Sequence, residues 1–121
     1  MNPVMQNVFG QPDGNCLQAC VASIFNIKLA EVPNFMRWRS EWHDRLTEFC
    51  IERGLYPLHV NTDEPEGNLR GYHLMAVMTT RGILHSVVGY NGKMVHDPYP
   101  GGSEITEVQE YTVFVSLMRD V

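Results

Sequence analysis

Cysteine is scarce in this 121-residue chain, and its count is odd: three, at positions 16, 20 and 50. Three cysteines do not make a disulfide framework, and such usage points to a reducing compartment. Basic runs are missing too. Nine Lys and Arg stand against fourteen Asp and Glu, for a formal net charge of −5. That balance argues against a nucleic-acid backbone as the main partner. The longest basic cluster, Arg37-Trp38-Arg39, reads as a solvated helix flank. No apolar run approaches the ~20 residues needed to span a bilayer. The first residues, Met1 to Asn7, lack the basic-then-apolar order of a secretory signal. Repeats, low-complexity tracts and linkers are also absent from the sequence. The expectation is one domain over residues 1–121, soluble and cytoplasmic, with neither nucleic acid nor membrane as partner; the sequence gives no oligomeric state.

What is present is ordered in two halves. Residues 1–15 carry Pro3, Gly10, Pro12 and Gly14, which predicts extended or looped backbone with a short edge strand around Val4 to Val8. Asn15 or Asp13 then caps a helix from about Cys16 to Asn26, with Leu17, Val21, Ile24 and Phe25 at helical spacing. Leu29 to Val32 is a short second helix stopped by Pro33. Ser40 to Arg53 is the longest amphipathic helix, with Trp42, Leu46, Phe49 and Cys50 on one face and Gly54 at its end. Strands follow at 55–60, 72–79, 83–90, 93–97 and 111–118, with a loop over 61–71. Helices first and strands second is the layout of an α+β domain with an antiparallel sheet.

The chemistry-bearing segment is Asp13-Gly14-Asn15-Cys16-Leu17-Gln18-Ala19-Cys20. A polar turn delivers Cys16 to the first turn of an apolar helix. Free N–H groups and the positive dipole end there favour a thiolate and can hold an oxyanion. A thiol nucleophile also needs a base, and the base an orienting group. Asn91-Gly92 marks a hairpin between the strands at 83–90 and 93–97. A two-residue loop sets Ser86 opposite Asp97. A three-residue loop with Gly92 in a bulge sets His85 opposite Asp97, where the carboxylate orients the imidazole. His73 is the rival base. His43 lies on an exposed helix face, His59 closes a strand beside a loop, and His96 points away from Asp97's face. Cys20 and Cys50 read as core. Cys16 and Cys20 form an i, i+4 pair, but two ligands without a second pair are a weak metal signal.

These residues carry a resemblance. Asn15-Cys16-Leu17-Gln18-Ala19-Cys20-Val21-Ala22-Ser23-Ile24 resembles the nucleophile segment of papain-like cysteine peptidases of the bacteriocin-leader-processing (double-glycine) type. His85-Ser86-Val87-Val88 is similar to that family's His-x-Val-Val segment, and Asp97-Pro98 to its Asp-Pro motif. The stretch from Cys16 to Pro98 is about two-thirds of the chain. The resemblance implies a papain-like fold with N-terminal helices packed on a C-terminal antiparallel sheet. It implies Cys16 as nucleophile, His85 as general base and acid, and Asp97 as orienter. It also implies a glutamine before the cysteine as oxyanion donor. Gln11 lies five residues before Cys16 and Gln6 ten, against the family's usual six. Gln11 is slightly preferred on spacing, while Gln6 has the more family-like setting. Leu17 stands where the family has glycine. Asp13-Gly14-Asn15-Cys16-Leu17 is also similar to the nucleophile segment of ovarian-tumour-type deubiquitinases, but over five residues only, and Ser86 stands where that family has an aromatic after its His.

The function implied is a thiol hydrolase that cleaves a peptide, amide or related acyl bond through a Cys-His-Asp triad and a covalent acyl-enzyme. It acts on a peptide or protein and needs no metal or organic cofactor. The same machinery supports acyl transfer or deamidation, and the same fold can serve as a catalytically silent binding or inhibitor module.

Overall fold

The computed structural model describes residues 1–63 and 68–118. Its helices are α1 (Cys16–Phe25) and α2 (Trp42–Ile51), and its strands are β1 (Leu55–Val60), β2 (Tyr72–Thr79), β3 (Leu84–Tyr90), β4 (Lys93–His96) and β5 (Ile105–Ser116). The strands form one antiparallel sheet in the order β1-β5-β2-β3-β4. The protein is therefore α+β, with its helices packed on a five-stranded antiparallel sheet. Among the described residues no helix is long and apolar enough to cross a membrane.

Alternation along β2 and β3 splits the core in two. Leu74 and Val88 face the helices and pack with Cys20, Val21, Phe35, Leu46, Phe49 and Cys50. Met75, Val77 and Val87 face the other way, against Leu69 and Tyr111. Cys20 and Cys50 are fully buried, as expected of small apolar residues on packed faces. Helix α1 lies against β3 and β2, and α2 against β1.

Several local expectations change. The segment Val4 to Val8 forms no strand, because its polar backbone groups are taken by side chains and by a loop. Val4 N–H donates to Ser23 Oγ, Gln6 N–H to the Pro98 carbonyl, and Asn7 and Val8 N–H to Asn15 Oδ1. The long helix starts later than Ser40. A 3-10 segment, Phe35–Glu41, precedes it, and Arg39 at φ 51° kinks that segment from within. The short helix after Lys28 is a single 3-10 turn, Leu29–Glu31. The last strand begins at Ile105 rather than 111, because β5 pairs with β2 along that length through register shifts. The expected loop at 61–71 falls partly outside the described residues.

Candidate active site

Cys16 is the first residue of α1. Asn15 stands before it at the cap position, but its side chain does not cap the helix. Instead it turns to the N-terminal segment. Besides the Asn7 and Val8 amides that it accepts, its Nδ2 donates to Asn7 Oδ1 at 2.8 Å and Gln18 Oε1 at 3.2 Å. Asn15 is 2 % exposed, so this buried amide is satisfied on both its atoms. Asp13, the other expected cap, is exposed and pairs with Arg39 at 3.0 Å. The first backbone bond into the helix is Ala19 N–H to the Asn15 carbonyl. The amides of the first turn thus keep no side-chain cap, and no acidic residue lies in that turn. They are donors available to an anion beside the thiol.

His85 lies near the start of β3 and is 3 % exposed. Its Nε2 stands 2.7 Å from Asp97 Oδ1. The imidazole is also close enough to Cys16 for each group to shift the other's pKa. With Nε2 engaged by the carboxylate, Nδ1 is the nitrogen left for the thiol. Asp97 Oδ1 accepts a second bond from the Tyr99 amide at 2.9 Å. Its Oδ2 is buried without a hydrogen bond of regular geometry, although the Ser103 hydroxyl is close enough to help hold the carboxyl ionised. Tyr99 meets the His85 ring edge-on, with centroids 6.3 Å apart.

How Asp97 reaches His85 differs from the expected three-residue turn. The turn is the two-residue Asn91-Gly92 type, both residues at positive φ, with Tyr90 paired to Lys93. That register alone would put Asp97 opposite Ser86, on the wrong face. The register then shifts: Gly89 pairs with Met94, but Val88 pairs with His96. Val95 is the extra residue of a bulge in β4. One inserted residue exchanges the faces of everything beyond it. Asp97 therefore comes level with Val87, on the side of β3 that His85 shares.

The three groups tune one another. Burial pushes the Cys16 thiol up, but the His85 bond, its charge and Ser86 outweigh that and hold it below the ordinary thiol range. Burial pushes His85 down, but Cys16 and Asp97 together raise it above the usual imidazole value. Burial pushes Asp97 up, while His85, Ser103 and the Tyr99 amide bring it below the usual carboxylate range. Both shifts, the thiol down and the imidazole up, are in the direction of a thiolate–imidazolium pair. By contrast burial, together with the nearby Cys16 and Asp97 charges, holds the Cys20 thiol well above the ordinary range, and its Sγ donates to the Ser86 carbonyl at 3.3 Å.

The remaining sequence candidates separate clearly. His73 is fully buried on β2, with Nδ1 bonded to the Leu74 carbonyl and Nε2 accepting from the Gly92 amide. It anchors the hairpin turn and lies outside the Cys16 cluster. His96 Nε2 bonds the Val4 carbonyl at 2.8 Å. Gln6 and Gln11 both line the cleft around Cys16. Gln6 is 7 % exposed and its Nε2 donates to the Val8 carbonyl, whereas Gln11 is exposed. The Asn15 network was not legible as a site feature, since an asparagine before a helix reads first as a cap. The stretch Tyr99-Pro100-Gly101-Gly102 reads equally as a cleft border and as a strand exit, and Tyr99 does line the cleft.

The cleft has a volume of about 610 Å³. Leu17, Met36, Trp42, Leu46 and Leu74 give it an apolar wall, and Arg39, Arg81 and the two glutamines add polar groups. Among the described residues no group of three or more His, Cys, Asp or Glu side chains gathers to hold a metal ion. No protein-family model, curated protein or solved structure matches this chain.

Proposed function

We propose that this protein is a small thiol hydrolase of papain-like build that cleaves a peptide, amide or related acyl bond. The observation that carries the reading is His85, which links the Cys16 thiol to the Asp97 carboxylate, with its Nε2 2.7 Å from Oδ1. The uncapped start of α1 supports it, since it supplies donors where an oxyanion would form.

In this reading Cys16 Sγ attacks the substrate carbonyl carbon, and the C–S bond forms as the carbonyl π pair moves to oxygen. The oxyanion is met by first-turn amides of α1 and by a glutamine amide. Of the two glutamines, Gln6 suits that role better, because it is buried and tied to the Pro98 carbonyl beside Asp97. The imidazolium of His85 gives its proton to the leaving nitrogen as the C–N bond breaks. Water then attacks the thioester while His85 takes its proton. The carboxylic acid leaves and the thiolate–imidazolium pair is restored. Asp97 holds the ring and stabilises its charge throughout. An amine in place of water makes the same site an acyltransferase, and a glutamine side chain as substrate makes it a deamidase.

The test is the rate of iodoacetamide labelling at pH 7, followed by intact mass, together with mass-spectrometric analysis of a peptide library for cleavage. The expected result is one fast-labelling thiol, lost in Cys16→Ala and slowed in His85→Ala, and cleavage that requires Cys16. A Cys16 that labels no faster than free cysteine, with an intact library, rejects the proposal.

A further inference from the structure

A second cluster lies apart from Cys16, where α2 meets β1. His43 sits in the first turn of α2 and His59 near the end of β1. Their Nε2 atoms face one another in contact, and the rings are tilted 39° with centroids 4.4 Å apart. The other nitrogen of His59 is held from behind. Glu110 Oε1 on β5 lies 2.7 Å from Nδ1, and Thr112 Oγ1 lies 3.0 Å from it. A carboxylate that close to a ring nitrogen requires a proton on that nitrogen. The neutral His59 tautomer is thereby fixed as Nδ1–H, and Nε2 presents its lone pair toward His43. Backing of an imidazole N–H by a carboxylate is the arrangement that orients histidine ligands around metals. The His59 side chain is 29 % exposed, so an ion reaches it from solvent.

From this we propose that His43 and His59 bind a borderline transition-metal dication, with Zn²⁺ as the probe ion. Neutral imidazole suits such ions, whereas Mg²⁺ and Ca²⁺ prefer oxygen ligands. His43 carries its own proton on Nδ1 when the ion binds, and both Nε2 lone pairs turn to the metal. Zn–N bonds are about 2.0–2.1 Å, so the facing nitrogens part to roughly 3.3 Å in a tetrahedral shell. His43 provides that movement from a partly exposed helix face. No third protein ligand converges among the described residues, so water completes the shell and the ion is exchangeable. Such a site ties α2 to the sheet beside the cleft, which Trp42, Glu110 and Thr112 line.

The experiment is calorimetric titration of the full chain with Zn²⁺, in a Cys16→Ser background to remove the competing thiolate. Imidazole Cε1–H resonances are followed in parallel by NMR. The expected result is one saturable Zn²⁺ per chain, abolished by His43→Ala and by His59→Ala, and weakened about tenfold by Glu110→Gln. The resonances of His43 and His59 shift, and those of His73 and His85 do not. His43→Ala leaves the sheet untouched and guards against a folding defect in His59→Ala, with circular dichroism as the check. Saturable binding that survives His43→Ala, or no saturable binding at all, overturns the proposal. Either outcome is independent of whether Cys16 is a nucleophile.

Discussion

His73 and His85 sit on neighbouring strands, both buried, yet the protein uses them in opposite ways. His73 is enclosed by Tyr111, the Leu74 carbonyl and the Gly92 amide. Burial lowers its pKa, and the bond to the Leu74 carbonyl only partly offsets that. His85 is as thoroughly enclosed, but a thiol stands on one side and a carboxylate on the other, and they raise it. Burial alone therefore does not decide the role of a histidine; the charge of the groups that bury it does.

Loss of the thiol or of its partner histidine should do the most damage. Cys16→Ala or His85→Ala should cost on the order of 10⁶ in kcat of the proposed hydrolase. His85→Ala should also move the pH midpoint of Cys16 alkylation upward, because burial then acts on the thiol without its counter-charge. Each unit of that move costs about tenfold in thiolate below the midpoint. Asp97→Asn comes next. The ring keeps a neighbour but loses its charge and tautomer control, and kcat should fall on the order of 10⁴ with the fold intact by circular dichroism.

The structural side of the comparison turns on Gly89. It pairs directly with His73, and a Cβ there would lie 2.3 Å from His73 Cε1. Gly89→Ala should destabilise the protein by about 3 kcal/mol in urea unfolding. His73→Leu leaves the Gly92 amide without its acceptor, and should cost about 1–3 kcal/mol. It should not change the iodoacetamide labelling rate of Cys16, since His73 lies outside that cluster. If Cys16 labelling slows as much in His73→Leu as in His85→Ala, the separation of roles fails.

The smallest expected effect is in the pH dependence of stability, where the two histidines act with opposite sign. His73 is lowered from 6.5. The unfolded chain then binds more protons than the native one just below that value, so the His73 contribution grows as pH rises toward 6.5 and is then constant. His85 is raised from 6.5. Its contribution is full below that pH and is lost as pH rises through the folded value. Urea midpoints between pH 5 and 8 check this. Relative to wild type, His73→Leu should flatten the acid limb and His85→Ala the neutral-to-alkaline limb.

Much of this was readable along the chain. Cys16 at a helix start follows from a polar turn that enters Leu17, Val21 and Ile24 at helical spacing. The Asn91-Gly92 turn follows from the need for two positive φ values. Other features were not readable. The bulge at Val95 leaves no mark in a strand as short as Lys93–His96. The Asn15 side chain looks like a helix cap until its partners seven and eight residues upstream are known. His43 and His59 are sixteen residues apart, and neither carries a signal of the other.

Turns, caps and helical spacing are written within a few neighbours, so the order of residues along the chain already sets which groups can do chemistry and in what local setting. Which of the five histidines meets the thiol is settled only once the chain is folded. That choice rests on strand register, where one extra residue exchanges the faces of a strand, and on packing between segments far apart in the chain.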